Sequence, residues 1–355
     1  MNILWTHEEE KQFMKTWEGY QKGVNLGGWL SQCDDTEETY STFVVEEDIK
    51  TIAGWGMDHV RLPFDYELIE DKEGNPIEIG YGHIRDAIDW CGKYGLNMVL
   101  DLHKTMGYSF DDAFGERGFF DSEDLQERFY KLWENVASRF GKYDDRVAFE
   151  LLNEVTDKDY CDRWNKISYE CIRRIRKIAP TIKILVGGYW NNSVDSVKDL
   201  AIPYDENIIY NFHCYEPLIF THQSAPWIPT MDTSFRIRID APYKEMDAAG
   251  VKNLSQVTTG FAGFSGDDLL SAAYFEKIFK EAIEVAQERN VALYCGEYGV
   301  IDRVAPEDAL KWYKMINQVF QANGIGRSAW NYKKMDFGIS DERMDTVRDE
   351  LVKYL

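Results

Sequence analysis

Cysteine is sparse and scattered. Six occur in 355 residues, at Cys33, Cys91, Cys161, Cys171, Cys214 and Cys295, with no C-x-x-C pair and no tight cluster. The spacing offers no zinc ligand set, and a chain this long has no need of disulfide staples. Buried thiols in a reducing compartment are expected. Positive charge is also short: 40 Lys and Arg stand against 62 Asp and Glu, a net charge of −22. Neither duplex nucleic acid nor an anionic membrane is therefore expected as a partner, because both demand clustered Lys and Arg. No window approaches the ~20 apolar residues of a membrane span. The opening Met1–Glu10 has no basic region and no long apolar run, so no secretory signal is read there and a cytoplasmic location is expected. Nucleotide fingerprints are missing too, since Gly23-x-x-x-Gly27-Gly28 is neither G-x-G-x-x-G nor a P-loop. The sequence shows no internal repeat and does not set the oligomeric state.

What is present is globular. Hydrophobic residues make up 44% and charged residues 29%, enough apolar material for a large core. Aromatics reach 14%, with 11 Trp and 21 Tyr, so some are expected to line a stacking surface. Short apolar runs recur, each followed by a longer amphipathic stretch. The spacing predicts strands at Gly23–Leu26, His59–Leu62, Asn97–Leu102, Val147–Leu152, Lys183–Val186, Ile208–Phe212, Ala292–Cys295 and Gly326–Trp330. Between them it predicts helices including Glu46–Gly54, His83–Lys93, Leu125–Phe140, Tyr160–Ile178, Tyr274–Arg289 and Pro306–Gln321. Eight strand-then-helix units with continuous apolar strands indicate a closed parallel (β/α)8 TIM barrel ahead of an open doubly wound sheet. One catalytic unit spanning 1–355 is expected, with an inserted subdomain after the sixth strand, about 216–267, lying over the cleft.

In such barrels the reacting groups project from the C-terminal strand ends. Those positions are polar in this chain: Asn25, Arg61, Asp101 and His103, Asn153 and Glu154, His213 and Tyr215, Glu297, Trp330 and Asn331. Glu154 alone is better read as a surface carboxylate capping the next helix, but Asn153 beside it suits a hydrogen bond to a ligand hydroxyl. Glu297 also ends a strand, and Gly296 before it is expected to let a ligand approach the backbone. Two carboxylates on one rim suit glycoside hydrolysis, one protonating the leaving oxygen and one attacking the anomeric carbon. Arg61 is read as a rim ion pair that also keeps a carboxylate ionised. His103 and His213 are weak as singletons and stronger together as ligand-orienting donors. Trp330, and with less support Trp227, offer flat faces on which a sugar ring stacks. A metal site built from Asp101, His103, His213 and Glu297 is the distant second reading, since Arg61 at the same rim repels a cation.

The chain resembles glycoside hydrolase family 5, and within it bacterial endoglucanases of the clostridial endoglucanase C type. The residues that carry the resemblance are Gly23–Trp29, Asp58–Tyr66, Phe149–Glu154, Tyr210–His213, Phe220–Gln223, Leu293–Val300 and Ala329–Phe337. It implies a (β/α)8 barrel and retaining cleavage of β-linked glucans without a cofactor or metal. By the Asn-Glu motif Glu154 takes the acid/base role, and by Gly-Glu-Tyr-Gly Glu297 is the nucleophile. The family's substrate-binding rim falls on Arg61, His103, Asn153, His213, Tyr215 and Trp330, all present. Two departures stand out: Lys104 where many members have a second His, and Glu216-Pro217 after Tyr215. The expected substrate is a β-1,4 or mixed β-1,3/1,4 glucan or oligosaccharide. An exo-acting β-glucosidase and a β-mannanase are the alternatives within the family. A metal-dependent barrel hydrolase or isomerase and a non-catalytic glucan-binding protein are the alternatives outside it.

Overall fold

Eight strands pair in sequence order, all parallel, and the last pairs with the first to close a barrel. This computed structural model describes residues 14–111, 117–254 and 259–355, so the amino-terminal decapeptide read above lies outside the described residues. The strands are β1 (Gly23–Asn25), β2 (His59–Asp65), β3 (Asn97–Lys104), β4 (Val147–Glu150), β5 (Lys183–Gly187), β6 (Ile208–Cys214), β7 (Ala292–Tyr298) and β8 (Gly326–Ala329). Both of their faces are buried, inward against the barrel centre and outward against helices, which is why they read as unbroken apolar runs.

The helix Glu123–Phe140 shows how a crossover is specified. Ser122 caps it by accepting from the Leu125 amide, and Glu123 and Asp124 sit in its first turn, where the helix dipole favours negative charge. Its Phe129, Leu132, Trp133, Val136 and Phe140 are buried against the barrel wall. Buried indoles then tie wall to rim. Trp133 donates to the Leu151 carbonyl at 3.1 Å, Trp164 to Gly187 at 2.8 Å and Trp312 to Glu216 at 3.0 Å. Much of the tryptophan is therefore scaffold rather than stacking surface.

Inside the barrel, the end away from the site is filled by Val99, Ala148, Leu185, Ile209, Ala292 and Tyr294, with Trp17 and Tyr20 packed on them. Trp17 and Tyr20 stack at 3.7 Å, so residues preceding β1 stopper that end. No helix among the described residues is long and apolar enough to cross a membrane.

Two crossovers differ from the rest: the one after β5 has no long helix, and the one after β6 carries further elements ahead of its helix Ala272–Glu288. Between β5 and β6 stands a short turn, Tyr189–Asn192, followed by the 3-10 helix Val194–Asp199. After β6, the long connection holds the short helix Leu218–Thr221 and the 12-residue helix Tyr243–Leu254. It is fastened to the next barrel unit: the Ile301 amide donates to the Thr221 carbonyl at 2.9 Å, and the Ile239 amide to Asp308 Oδ2 at 3.5 Å.

Candidate active site

Arg61 organises the floor of the site. It is wholly buried, and its guanidinium is engaged on all sides. Nε and Nη2 grip Glu150 at 2.7 and 2.9 Å, while Nη1 reaches Asn25 at 2.9 Å and Glu297 at 2.7 Å. Nη2 also donates to Asn153 at 2.9 Å and pairs with Asp101 at 3.0 Å. A buried guanidinium is tolerable only when its planar fork is satisfied this fully. Three carboxylates share this one cation. Burial pushes the Asp101 carboxyl up to about 8, against the pull of Arg61, and raises Glu150 as well. Glu150 accepts a further bond from Asn211 at 2.8 Å.

Strand register sets the upper layer. Across β6 and β7 His213 lies opposite Glu297, and just before that pair β7 advances two residues, from Cys295, while β6 advances one, from Phe212. Glu297 receives Arg61 on Oε1 and the Tyr215 hydroxyl on Oε2 at 2.9 Å. Glu154, two residues beyond the wall residue Leu152, takes a left-handed φ of +43°. Its carbonyl accepts the Tyr108 hydroxyl at 2.6 Å, and that hydroxyl accepts the Thr156 amide at 2.9 Å, which together hold the turn. The Glu154 side chain meets His213 Nδ1 at 2.8 Å and Asn191 Nδ2 at 3.0 Å. Burial raises its pKa, and the Asn191 bond works in the opposite direction. Burial also holds His213 down to about 4, so the ring is neutral near pH 7.

One oxygen of Glu154, one of Glu297 and a ring nitrogen of His213 all lie within 4.8 Å of one another. As a donor set this could hold a cation, but Arg61 already occupies Glu297 at 2.7 Å and opposes one electrostatically. Beside the pair, His103 gives Nδ1 to Asp101 at 2.6 Å, and its ring lies parallel to Trp330 at 5.9 Å. A Cβ on Gly27 would fall 2.4 Å from the Trp330 indole, so glycine there lets the ring settle.

Arg61, His103, Asn153, Glu154, His213, Tyr215, Glu297 and Trp330 thus converge. Asn25 lies beneath them, its Oδ1 taken by Arg61 and its Nδ2 by Gly296 and Ser328, so it braces the floor. Asn153 is buried, and its Nδ2 has no hydrogen-bond partner among the described residues. Trp227 is 49% exposed at the cleft edge, edge-on to His222 at 6.0 Å and 6.5 Å from Phe337, which in turn contacts Tyr215. The expectation for Gly296 needs correction. A Cβ there would meet Asn211 at 2.7 Å and His213 at 3.1 Å, so the missing side chain makes room for protein groups and not for a ligand. Lys104 pairs with Glu67 at 2.8 Å, next to Asp65 at 3.9 Å.

Sequence reasoning missed Glu150, Asn191, Asn192, Tyr108 and the exposed Trp190. Glu150 hides within an apolar strand, where only a carboxylate among Val147, Ala148 and Phe149 signals an internal partner. The Asn191-Asn192 pair, after Gly187-Gly188, carried one signal: Asn is the side chain that best tolerates a left-handed backbone.

A closed (β/α)8 barrel with paired carboxylates at its C-terminal mouth defines a class, the barrel glycoside hydrolases. The chain belongs to the cellulase family, glycosyl hydrolase family 5, which it matches over residues 15–336. It is 50% identical over 338 residues to cellodextrinase A of Ruminococcus flavefaciens, covering 95% of this chain and 93% of that one. To endoglucanase C of Acetivibrio thermocellus it is 40% identical over 340 residues, covering 95% and 98%. In fold it is similar to the endoglucanase Cel5A of Thermotoga maritima, with a TM-score of 0.75 at 21% identity over 95% and 97% of the two chains.

Proposed function

We propose that this glycoside hydrolase cleaves β-1,4-glucosidic bonds of gluco-oligosaccharides and glucans with retention of configuration. The observation that carries the mechanism is the spacing of Glu154 and Glu297. Carboxyl oxygens within 4.8 Å fit the ~5–5.5 Å of a double displacement, whereas inversion needs ~6.5–9.5 Å to admit a water. The substrate class is supported by the cellodextrinase and endoglucanase relatives, which the chain covers almost end to end.

Glu297, fixed by Arg61 and Tyr215, attacks the anomeric carbon. The bond to the departing glycosyl oxygen breaks as Glu154 hands that oxygen its proton. A water then enters, Glu154 takes its proton, and the hydroxyl oxygen displaces Glu297 from the same carbon. Burial suits Glu154 to the first step, because a raised pKa favours the protonated form that the leaving oxygen needs. Trp330 supports the sugar at the reacting position, with His103 and Asn153 as hydroxyl partners. Trp190, 52% exposed beside Asn191, and Trp227 supply aromatic faces farther along the cleft. The chain acts as one catalytic unit, with the described residues of 216–267 forming a wall of the cleft. Six free thiols, four of them buried, support a reducing, cytoplasmic location.

A 2-deoxy-2-fluoro cellobioside with a good leaving group tests this. Peptide mass analysis should find the sugar esterified to Glu297, and Glu297→Gln should neither label nor turn over. A label on any other residue, or an inverted product by NMR, would overturn the assignment. A parallel panel of cello-oligosaccharides, mixed-linkage glucan and β-mannan should show preference for the first two.

A further inference from the structure

Three consecutive residues beside Glu154 adopt a backbone that side chains rarely enter. Trp190, Asn191 and Asn192 have φ of +51°, +56° and +55°, and none is glycine. Such conformations persist only where the surroundings impose them, and they gather at functional sites. The surroundings here are specific. The Trp190 amide donates to Thr156 at 3.2 Å and the Asn191 amide to Val155 at 3.0 Å, stitching the turn to the segment just after Glu154. Asn192 is fully buried and fills space that Gly187 leaves, since a Cβ on Gly187 would fall 2.3 Å from its side-chain oxygen. The outcome is directional. Asn191 Nδ2 is aimed at Glu154 Oε2 at 3.0 Å, and Asn192 Nδ2 stands 3.4 Å from His213 Nε2, whose other nitrogen meets Glu154 Oε1.

We propose that Asn191 is a positioning residue for the acid/base. Its amide holds the Glu154 carboxyl in one orientation and favours the ionised form. Both reaction steps need this balance: burial favours the protonated form that the first step uses, and the Asn191 bond favours the ionised form that the second step uses. The proposal rests on Glu154 being the acid/base. The other titratable and charged groups around that carboxyl include His213 from β6 and Tyr215 just beyond it, Glu297 from β7, Arg61 from β2, and Asp101 and His103 from β3. Glu297 disfavours a second negative charge there, while Arg61 and His103 favour it. Asn191, from beyond β5, adds an uncharged donor directly on Oε2.

The test is the pH dependence of kcat/KM on a cello-oligosaccharide. Asn191→Gly keeps the left-handed backbone without strain and removes the amide. Asn191→Asp keeps shape and size but replaces a donor by a like charge. The alkaline limb should move up by about one pH unit in Asn191→Gly, a tenfold change in proton affinity, and further in Asn191→Asp. KM and the thermal midpoint should change little. If both variants fold and the limb stays or moves down, the proposal is overturned. Glu154→Gln separates the two levels. Its residual rate should lack the alkaline limb altogether, and a limb that survives there would remove the acid/base assignment itself. A limb lost in Glu154→Gln yet unmoved by Asn191→Gly and Asn191→Asp would remove only the role of Asn191.

Discussion

Glu150 is the residue on which the floor depends, although it is walled off from any substrate. It accepts two bonds from Arg61 and one from Asn211, and through Arg61 it fixes the position of Glu297. Glu150→Gln turns one acceptor into a donor facing a guanidinium that has nowhere else to go. Removing one partner from a buried ion pair typically costs ~3–5 kcal/mol. A loss of that size is expected in urea unfolding, together with a marked fall in kcat because Glu297 loses its fixed anchor. A stability change below about 1 kcal/mol, the scale of an exposed pair, would show that Arg61 is held by its other partners.

At the scale of elements, the insertion raises the question of how far substrate extends. Trp227 is half exposed, perpendicular to the His222 ring and tilted 40° to that of Phe337. Trp227→Ala should reduce kcat/KM for longer oligosaccharides by about 1–3 kcal/mol, while short aryl glycosides stay nearly unaffected. Equal losses on long and short substrates would make Trp227 a support of the fold. The elements themselves were largely legible in the sequence. All eight strands begin where the apolar runs begin, and Glu46–Gly54 forms as read. Their ends were not legible. β2 continues from Leu62 to Asp65, and β7 from Cys295 to Tyr298, because pairing persists through residues that face the site. An apolar pattern stops at the first polar side chain, and at a working rim that is too early. The helix Tyr243–Leu254 escaped because few of its residues are buried and Gly250 interrupts its pattern.

For the whole molecule, acid stability follows from histidines held largely out of water. Burial holds His222 down to about 3 and His213 down to about 4. Unfolded histidines titrate near 6.5, so between these limits the unfolded chain binds more protons, and stability rises with pH. The contribution is complete above about pH 7 and is lost as the solution is acidified toward the folded values. Buried acids such as Asp101, pushed up to about 8, act in the opposite sense, so a single curve mixes the two. A difference isolates one group. The stability advantage of the wild type over His222→Asn should shrink on going from pH 7 to pH 4, at up to about 1.4 kcal/mol per pH unit. A constant difference across that range would mean that His222 is as easily protonated in the fold as out of it.

Closure of the barrel has one more consequence, in the dimension of time. Asn25 bonds to Ser328 across 303 positions, Gly27 to Asn331 across 304, and Arg61 to Glu297 across 236. A nascent chain that has made β1 to β6 holds Glu154 and His213 but neither Glu297 nor Trp330. Contacts this distant in sequence form late, because the entropy of closing the loop between them must be overcome first. The machinery that breaks a glycosidic bond is therefore assembled only when the eighth strand docks against the first. In a refolding chain, the return of activity marks that last event.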